Sequence, residues 1–338
     1  MGPDRIDVVA IGSAIVDVLA RASDEQVAAL GLAKGSMALV DQEESDRLLA
    51  AMGPATQASG GSAANTVVGV SCLGGSAAYL ARVADDDLGQ VFSRDIRSAG
   101  VRFAGIPERG GRAALDGGGT GRCLVLVTPD AERTMSTYLG VASQLGSRDV
   151  DAGLVGQARV LYVEGYLWDL PAAKEALRGA MAAARRTGAQ VALSLSDSFC
   201  VQRHRDDFLA LVASEVDVVF ANQDEVALLT GEDDLEAALT ELSGGPALWA
   251  VTRGAQGSVV ASGRERVRVP AWPVEAVVDT TGAGDLYAAG FLLALIRGAD
   301  LEGCARLGSL VAAEVIGHLG ARPGPGLREL AQQVGLLS

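Results

Sequence analysis

The segment Val278-Asp279-Thr280-Thr281-Gly282-Ala283-Gly284-Asp285 ends a strand-like run, opens a long apolar helix and sets a carboxylate on that helix's first turn. Small residues at 282–284 let backbone N–H groups come close to an anion. The positive end of the helix expected over residues 286–297 favours negative charge at the same spot. Phosphate is the natural guest. Asp285 is then out of place, because a carboxylate beside a bound anion is repulsive unless it has a task, such as taking a proton from an attacking hydroxyl. Read locally, the same residues also make a tight turn whose first-turn acid complements the helix dipole.

The rest of the chain sets that turn in a recognisable frame. Residues 6–11 form a short β-rich apolar run closed by Gly12, and similar runs recur at 160–163, 191–195, 216–220 and 248–251. Between them lie alanine- and leucine-rich helical stretches at 171–186, 206–213 and 234–242. This alternation predicts an α/β fold on a doubly wound parallel sheet. Ligands of such sheets sit at the carboxyl ends of the strands, where loops bearing Asn222, Thr252 and Asp285 would emerge. Residues 14–41 and 103–139 break the pattern and read as short strands and turns, with one helix over 24–30. They suggest a small second sheet over a core of residues 1–13, 42–102 and 140–338. It is either a lid that keeps water from competing as phosphoryl acceptor or irregular surface structure. The glycine cluster at 117–121 lacks the lysine and following helix of a P-loop and reads as a turn.

Composition removes several function classes. Against 28 basic side chains stand 42 acidic ones, a net charge of −14, so neither nucleic acid nor an anionic membrane is an expected partner. No run reaches the roughly 18 apolar residues of a membrane span, and the apolar stretch 6–20 is broken by Asp7 and Asp17 with no basic leader before it. Cys72, Cys123, Cys200 and Cys304 lack paired spacing and read as reduced thiols of a cytoplasmic protein. With only His204 and His318, a histidine triad or zinc site would need both in one place. Asp85, Asp86 and Asp87 cannot all face one ion on a helix or strand, and they read as a solvated helix start.

Asp-Thr-Thr-Gly-Ala-Gly-Asp at 279–285, Gly60-Gly61-Ser62-Ala63-Ala64-Asn65 and Asn222-Gln223-Asp224-Glu225 occur in an order and spacing that resemble the ribokinase-like (PfkB-type) sugar and nucleoside kinases. The resemblance runs from about Val8 to about Arg322. Residues 121–140 and 164–205 look most similar to the bacterial adenosine kinase branch. It implies a ribokinase-like α/β core with a small β lid, and ATP-dependent transfer of phosphate to a primary hydroxyl. The acceptor would be adenosine in a purine-salvage role, or alternatively a sugar or another nucleoside such as inosine or guanosine. A non-catalytic nucleotide sensor is the reading that an intact Asp285 argues against.

The resemblance also assigns residues. Asp285 would be the base, and the N–H groups around Gly282, Ala283 and Gly284 the anion hole. Asp17, just past the first strand, would grip a pair of sugar hydroxyls together with Gly60, Gly61, Ser62 and Asn65; alternatively Asp17 caps a turn. Asn222 and Glu225 would hold Mg2+ through its water shell, although the same pair also spells a helix capping box. Thr252, Arg253, Gly254 and Gly257 would approach the donor phosphates. Arg133 looks like the family arginine that swings onto the transferring phosphate. Asp279 and Thr281 could supply oxygens to K+. Met37, Tyr166, Leu167 and Trp168 would form an apolar slot for a purine, or else belong to an interdomain seam. The working unit would be a monomer or a homodimer.

Overall fold

The computed structural model describes residues 5–107, 118–130 and 132–337. A nine-stranded sheet runs through the molecule in the order Glu265–Val269, Ser258–Ser262, Leu248–Thr252, Val218–Asn222, Gln190–Ser194, Ala158–Glu164, Ile6–Ile11, Ala77–Leu80, Arg102–Phe103. The seven strands from Leu248–Thr252 onward pair in parallel, and the first two close one edge as antiparallel hairpins. Helices cover both faces, so the central strands are apolar throughout. Val8, Ala10, Val160 and Tyr162 point into one core layer, while Val9, Ile11, Leu161 and Val163 point into the other. The helix Pro171–Arg186 spans the residues expected of it, begun by a proline at its first position and ended by two arginines that suit its negative end.

A second sheet has the order Met37–Leu39, Arg133–Tyr138, Gly121–Val127, Ile15–Arg21, Ala55–Gly60. Its last strand lies in a stretch that the sequence reading left to the core, because Ala-Thr-Gln-Ala-Ser-Gly carries no β-branched alternation. Conversely, Arg102–Phe103 pairs with the large sheet and Ile106–Pro107 with Arg82–Val83, so the small sheet does not begin at residue 103. Residues 108–117 of that expected insertion, including Gly117, lie outside the described residues. Gly118 and Gly119 pack against Tyr138 and Asp86, and Asp86 is the N-cap of the helix Asp87–Ser98. Gly118 and Gly119 are therefore irregular chain leading into the strand Gly121–Val127, and the aspartate triplet is a helix start with its cap.

The small sheet shows its period of two plainly. Ile15, Asp17, Cys123, Met135, Thr137, Met37 and Leu39 all lie on one face and line a cavity, while Val16, Val18 and Leu124 join the main core. The chain passes between the sheets at Gly12-Ser13-Ala14, and again at Gly61, where Ala55–Gly60 leads into the helix Ser62–Cys72. Gly61 has φ +98, and a Cβ there would meet the Ser13 carbonyl oxygen at 2.4 Å, so only glycine suits this crossing.

The helix Ala283–Ile296 is apolar all round because it is enclosed between Ser62–Cys72 and Leu301–Ile316. Its neighbours approach at backbone distance. A Cβ on Gly69 would fall 2.7 Å from Ala289 Cβ, and one on Gly290 would fall 2.7 Å from the Leu307 carbonyl oxygen. That helix carries Asp285, so its seating sets the position of the carboxylate. Gly290→Ala should destabilise the protein by about 1–3 kcal/mol through overpacking against backbone that cannot yield. Urea denaturation is the check, and an unchanged midpoint would show that the helices can part.

Candidate active site

At the carboxyl ends of the parallel strands, beneath the small sheet, lies a cavity of about 1190 Å³. Asp17, Gly61, Ser62, Asn65, Tyr166, Asn222, Glu225, Thr252 and the run Thr280 to Asp285 all line it. The distant motifs of the sequence thus meet in one place.

Asp285 sits in the first turn of its helix, and two side chains from the first turn of Ser62–Cys72 hold it. Ser62 Oγ donates to Oδ1 at 2.6 Å and Asn65 Nδ2 donates to Oδ2 at 2.9 Å. The family resemblance puts Ser62 and Asn65 on the acceptor; here they orient the candidate base, while Asn65 Oδ1, which is buried, has no partner among the described residues. Burial pushes the Asp285 carboxyl up to about 6, against the pull of these hydrogen bonds and of Arg322. A base in that range is ionised at neutral pH and still basic enough to take a hydroxyl proton.

The anion turn is formed as expected. Gly282 is the N-cap with φ +78, and a Cβ there would press on Ala321 at 2.7 Å, whereas a Cβ at Gly284 would meet open space. Among the described residues no acceptor faces the N–H groups of Gly284 and Asp285, which leaves both for an anion.

Asp17 faces the same cavity from the small sheet, backed by Gly60, where a Cβ would lie 2.3 Å from its Oδ2. Burial raises it too, to about 6, with Arg322 and Arg133 opposing and Asp285 and Asp279 reinforcing. Arg322 had no signal in its Gly/Pro-rich loop, yet it is the cation that both carboxylates feel most. Its guanidinium donates to the Ser59 carbonyl at 2.8 Å, to the Ala64 carbonyl at 3.0 Å and to Ser59 Oγ at 2.5 Å. It therefore binds the end of a small-sheet strand to the helix that holds Asp285.

Asn222 and Glu225 form the capping box. Asn222 Oδ1 accepts from the Glu225 N–H at 2.8 Å, and Glu225 Oε2 accepts from the Asn222 N–H at 3.0 Å. Both still line the cavity, and burial lifts the Glu225 carboxyl to about 7, reinforced by Asp197 and Asp224. Thr252 lines the wall, but Arg253, Gly254 and Gly257 do not. Arg253 N–H donates to the Gly257 carbonyl at 2.8 Å in a hairpin turn, and Gly257, at φ +85, would collide with the Val269 carbonyl if it bore a side chain. Tyr166 lines the wall and donates to the Ser196 carbonyl at 3.4 Å, with Ser196 itself in the left-handed region at φ +76. Leu167 and Trp168 are core residues, and Trp168 packs against Phe208 with the two rings tilted 58° to each other. Phe199 and Leu39, large and exposed, stand on the cavity wall instead.

Arg133 is paired with Asp279, joining the small sheet to the anion turn in a buried ion pair. Asp279 also accepts from the Thr281 N–H at 3.0 Å and the Gly320 N–H at 2.7 Å. With a guanidinium already on that carboxylate, Asp279 and Thr281 do not fit a monovalent cation in this arrangement, since the two positive charges would contend for the same oxygens.

Residues 24–326 match the pfkB family of carbohydrate kinases. The chain belongs to that family. It is 48% identical to the solved adenosine kinase from Sinorhizobium meliloti, over 98% of this chain and 100% of that one, with a TM-score of 0.90. It is 45% identical to a probable sugar kinase from Rhizobium etli, covering 99% and 100% with a TM-score of 0.91. An ATP-dependent ribose-1-phosphate kinase from Halopiger xanaduensis is 31% identical over 83% of this chain and 89% of its own. The protein is thus a kinase of the pfkB family, and membership implies ATP as donor. Among the described residues no helix is long and apolar enough to cross a membrane, and the four cysteines are free thiols.

Two carboxyls near 6 predict the acid limb of the pH profile. For this pfkB kinase kcat/KM should fall as pH drops through about 6, where Asp285 and Asp17 take up protons. Asp285→Asn should lower turnover by about 10²-fold or more while ATP binding persists. Near-normal turnover in that variant would exclude Asp285 as the base.

Proposed function

We propose that this kinase phosphorylates the 5′-hydroxyl of a ribonucleoside, with adenosine as the leading acceptor. The observation that carries the reading is the division of the cavity wall. Among the described residues, Asp17, Glu164, Asp169, Asp197, Glu225 and Asp285 line it against one cation, Arg203, and Arg203 is itself held by Asp169 at 2.6 Å. Such a wall repels an acceptor that already carries a phosphate and suits a neutral polyol. Beside the carboxylates stand Met37, Leu39, Leu170, Tyr166 and Phe199, an apolar set matched to a flat base and wasted on a free sugar. The likeness to the Sinorhizobium meliloti adenosine kinase supports the same choice.

In this reading Asp17 accepts hydrogen bonds from the 2′- and 3′-hydroxyls, which points the 5′-hydroxyl toward Asp285. Asp285 takes the proton as the acceptor oxygen bonds to the γ-phosphorus, the bond to the β-γ bridging oxygen breaks, and ADP leaves. The N–H groups of Gly284 and Asp285 stabilise charge on the transferring group, and Arg133 would leave Asp279 to join them. Closure of the small sheet would exclude water. Magnesium would supply charge neutralisation on the ATP phosphates, held through water by Asn222 and Glu225. Burial, with Asp197 and Asp224 nearby, raises the Glu225 carboxyl to about 7, a penalty that a cation held there would offset. Glu225→Gln should then raise the magnesium concentration needed for half-maximal rate. A loss of thermal stability alone would leave Glu225 as a helix cap and nothing more.

The acceptor is tested by ATP consumption across adenosine, inosine, guanosine, cytidine, ribose, fructose and ribose 1-phosphate. Adenosine should give the highest kcat/KM, and a free sugar or ribose 1-phosphate in first place would overturn the nucleoside reading. Asp17→Ala should cut efficiency on adenosine by at least about tenfold, since each hydrogen bond to a charged group contributes about 1.5–3 kcal/mol. The penalty should shrink on 2′-deoxyadenosine, and equal losses on both would show that Asp17 does not read the 2′-hydroxyl.

A further inference from the structure

Glu164 ends the central strand Ala158–Glu164 and is 1% exposed at the floor of the cavity. No motif marked it. Its Oε1 accepts from the Ser13 N–H at 2.8 Å and its Oε2 from the Ala63 N–H at 2.9 Å. Those donors stand at the two points where the chain passes between the sheets. Ser13 follows the strand Ile6–Ile11 on the way to the strand of Asp17, and Ala63 opens the helix that returns from the small sheet.

That helix has an unusual need. Its N-cap is Gly61, which offers no side-chain acceptor, and its first turn contains no acid. Helix starts ordinarily receive both from nearby residues. Here one carboxylate, a hundred residues away in sequence, supplies acceptor and negative charge together. The packing preserves its place, because a Cβ on Gly12 would fall 2.7 Å from Glu164 Oε2 and 2.7 Å from Ala63 Cβ. The turn so capped carries Ser62 and Asn65, the two side chains that hold Asp285.

We propose that Glu164 is a positioning residue for phosphoryl transfer, clamping both crossings so that Asp17 and Asp285 keep one alignment across the cavity. It acts through Ser13 on the acceptor strand and through Ala63 on the base. The proposal rests on the kinase activity of the family and not on which acceptor is used, so the assay takes whichever acceptor the wild-type protein turns over.

Glu164→Gln keeps the shape but leaves only one oxygen for two N–H donors, and its amide nitrogen must face the other. The variant should raise the acceptor KM about tenfold and lower kcat about tenfold, while the KM for ATP stays within about twofold. Unchanged acceptor KM and kcat would overturn the proposal. So would a fall in kcat alone in proportion to the folded fraction, which is what a purely structural role gives. Should the variant fail to fold, amide exchange in the wild-type protein decides. The Ser13 and Ala63 amides should exchange at least about tenfold more slowly than the neighbouring first-turn amide of Ser62. Equal rates would show that the clamp does not exist.

Discussion

Two hydrogen bonds, from Ser62 and Asn65 to Asp285, govern the geometry of this kinase. They join the first turns of two helices that lie far apart in sequence and pack side by side through Gly69, while Gly290 and Gly308 seat the second of them against Leu301–Ile316. A helix start is a natural place for an anion, because its N–H groups are unpaired and its dipole is positive. Here two such starts converge, one capped by the carboxylate of Glu164 and the other left open at Gly284 and Asp285. The open one is where a phosphate can bind, and the capped one is what keeps the base beside it.

The arrangement carries an electrostatic cost. Asp17, Glu164, Glu225 and Asp285 are all raised by burial, to between about 6 and about 7. A carboxyl whose folded value lies above its unfolded one binds its proton more tightly in the native state. Its contribution to stability is present below its unfolded value and is lost as pH rises through about 6 to 7. At neutral pH these four groups therefore work against folding, and apolar layers on both faces of the large sheet offset them. Arg322 and Arg133 temper the cost at Asp17, and Arg322 does so at Asp285. Strain of this kind gathers where function requires it.

The small sheet owes its role to register. Because successive residues face opposite ways, Ile15, Asp17, Cys123, Met135 and Thr137 share the cavity while their neighbours fill the core. A slip of one residue would bury Asp17 in the core and expose Val16 and Val18. The Arg133–Asp279 pair and the Arg322 bonds to Ser59 join that sheet to the rest of the site, so the acceptor wall and the anion turn are tied to each other in this arrangement.

Sequence alone determined the α/β alternation, the central strands, the helix Pro171–Arg186 and the anion turn with its acid. Each of these is written in local periodicity, or in residues whose backbone needs are strict, such as Gly282 at φ +78. The joint motifs also named Asp17, Asn65, Asn222 and Glu225, but not what each touches. Only the tertiary structure decided that Ser62 and Asn65 hold the base, that Arg133 rests on Asp279, and that Trp168 is core while Phe199 lines the cavity. The polar strand Ala55–Gly60 and the two charges beneath the site, Glu164 and Arg322, were equally hidden. The partners of those two charges lie roughly a hundred or more residues away, and a hydrogen bond or ion pair at that separation leaves no pattern in its own neighbourhood. It exists only once the two sheets have been brought together.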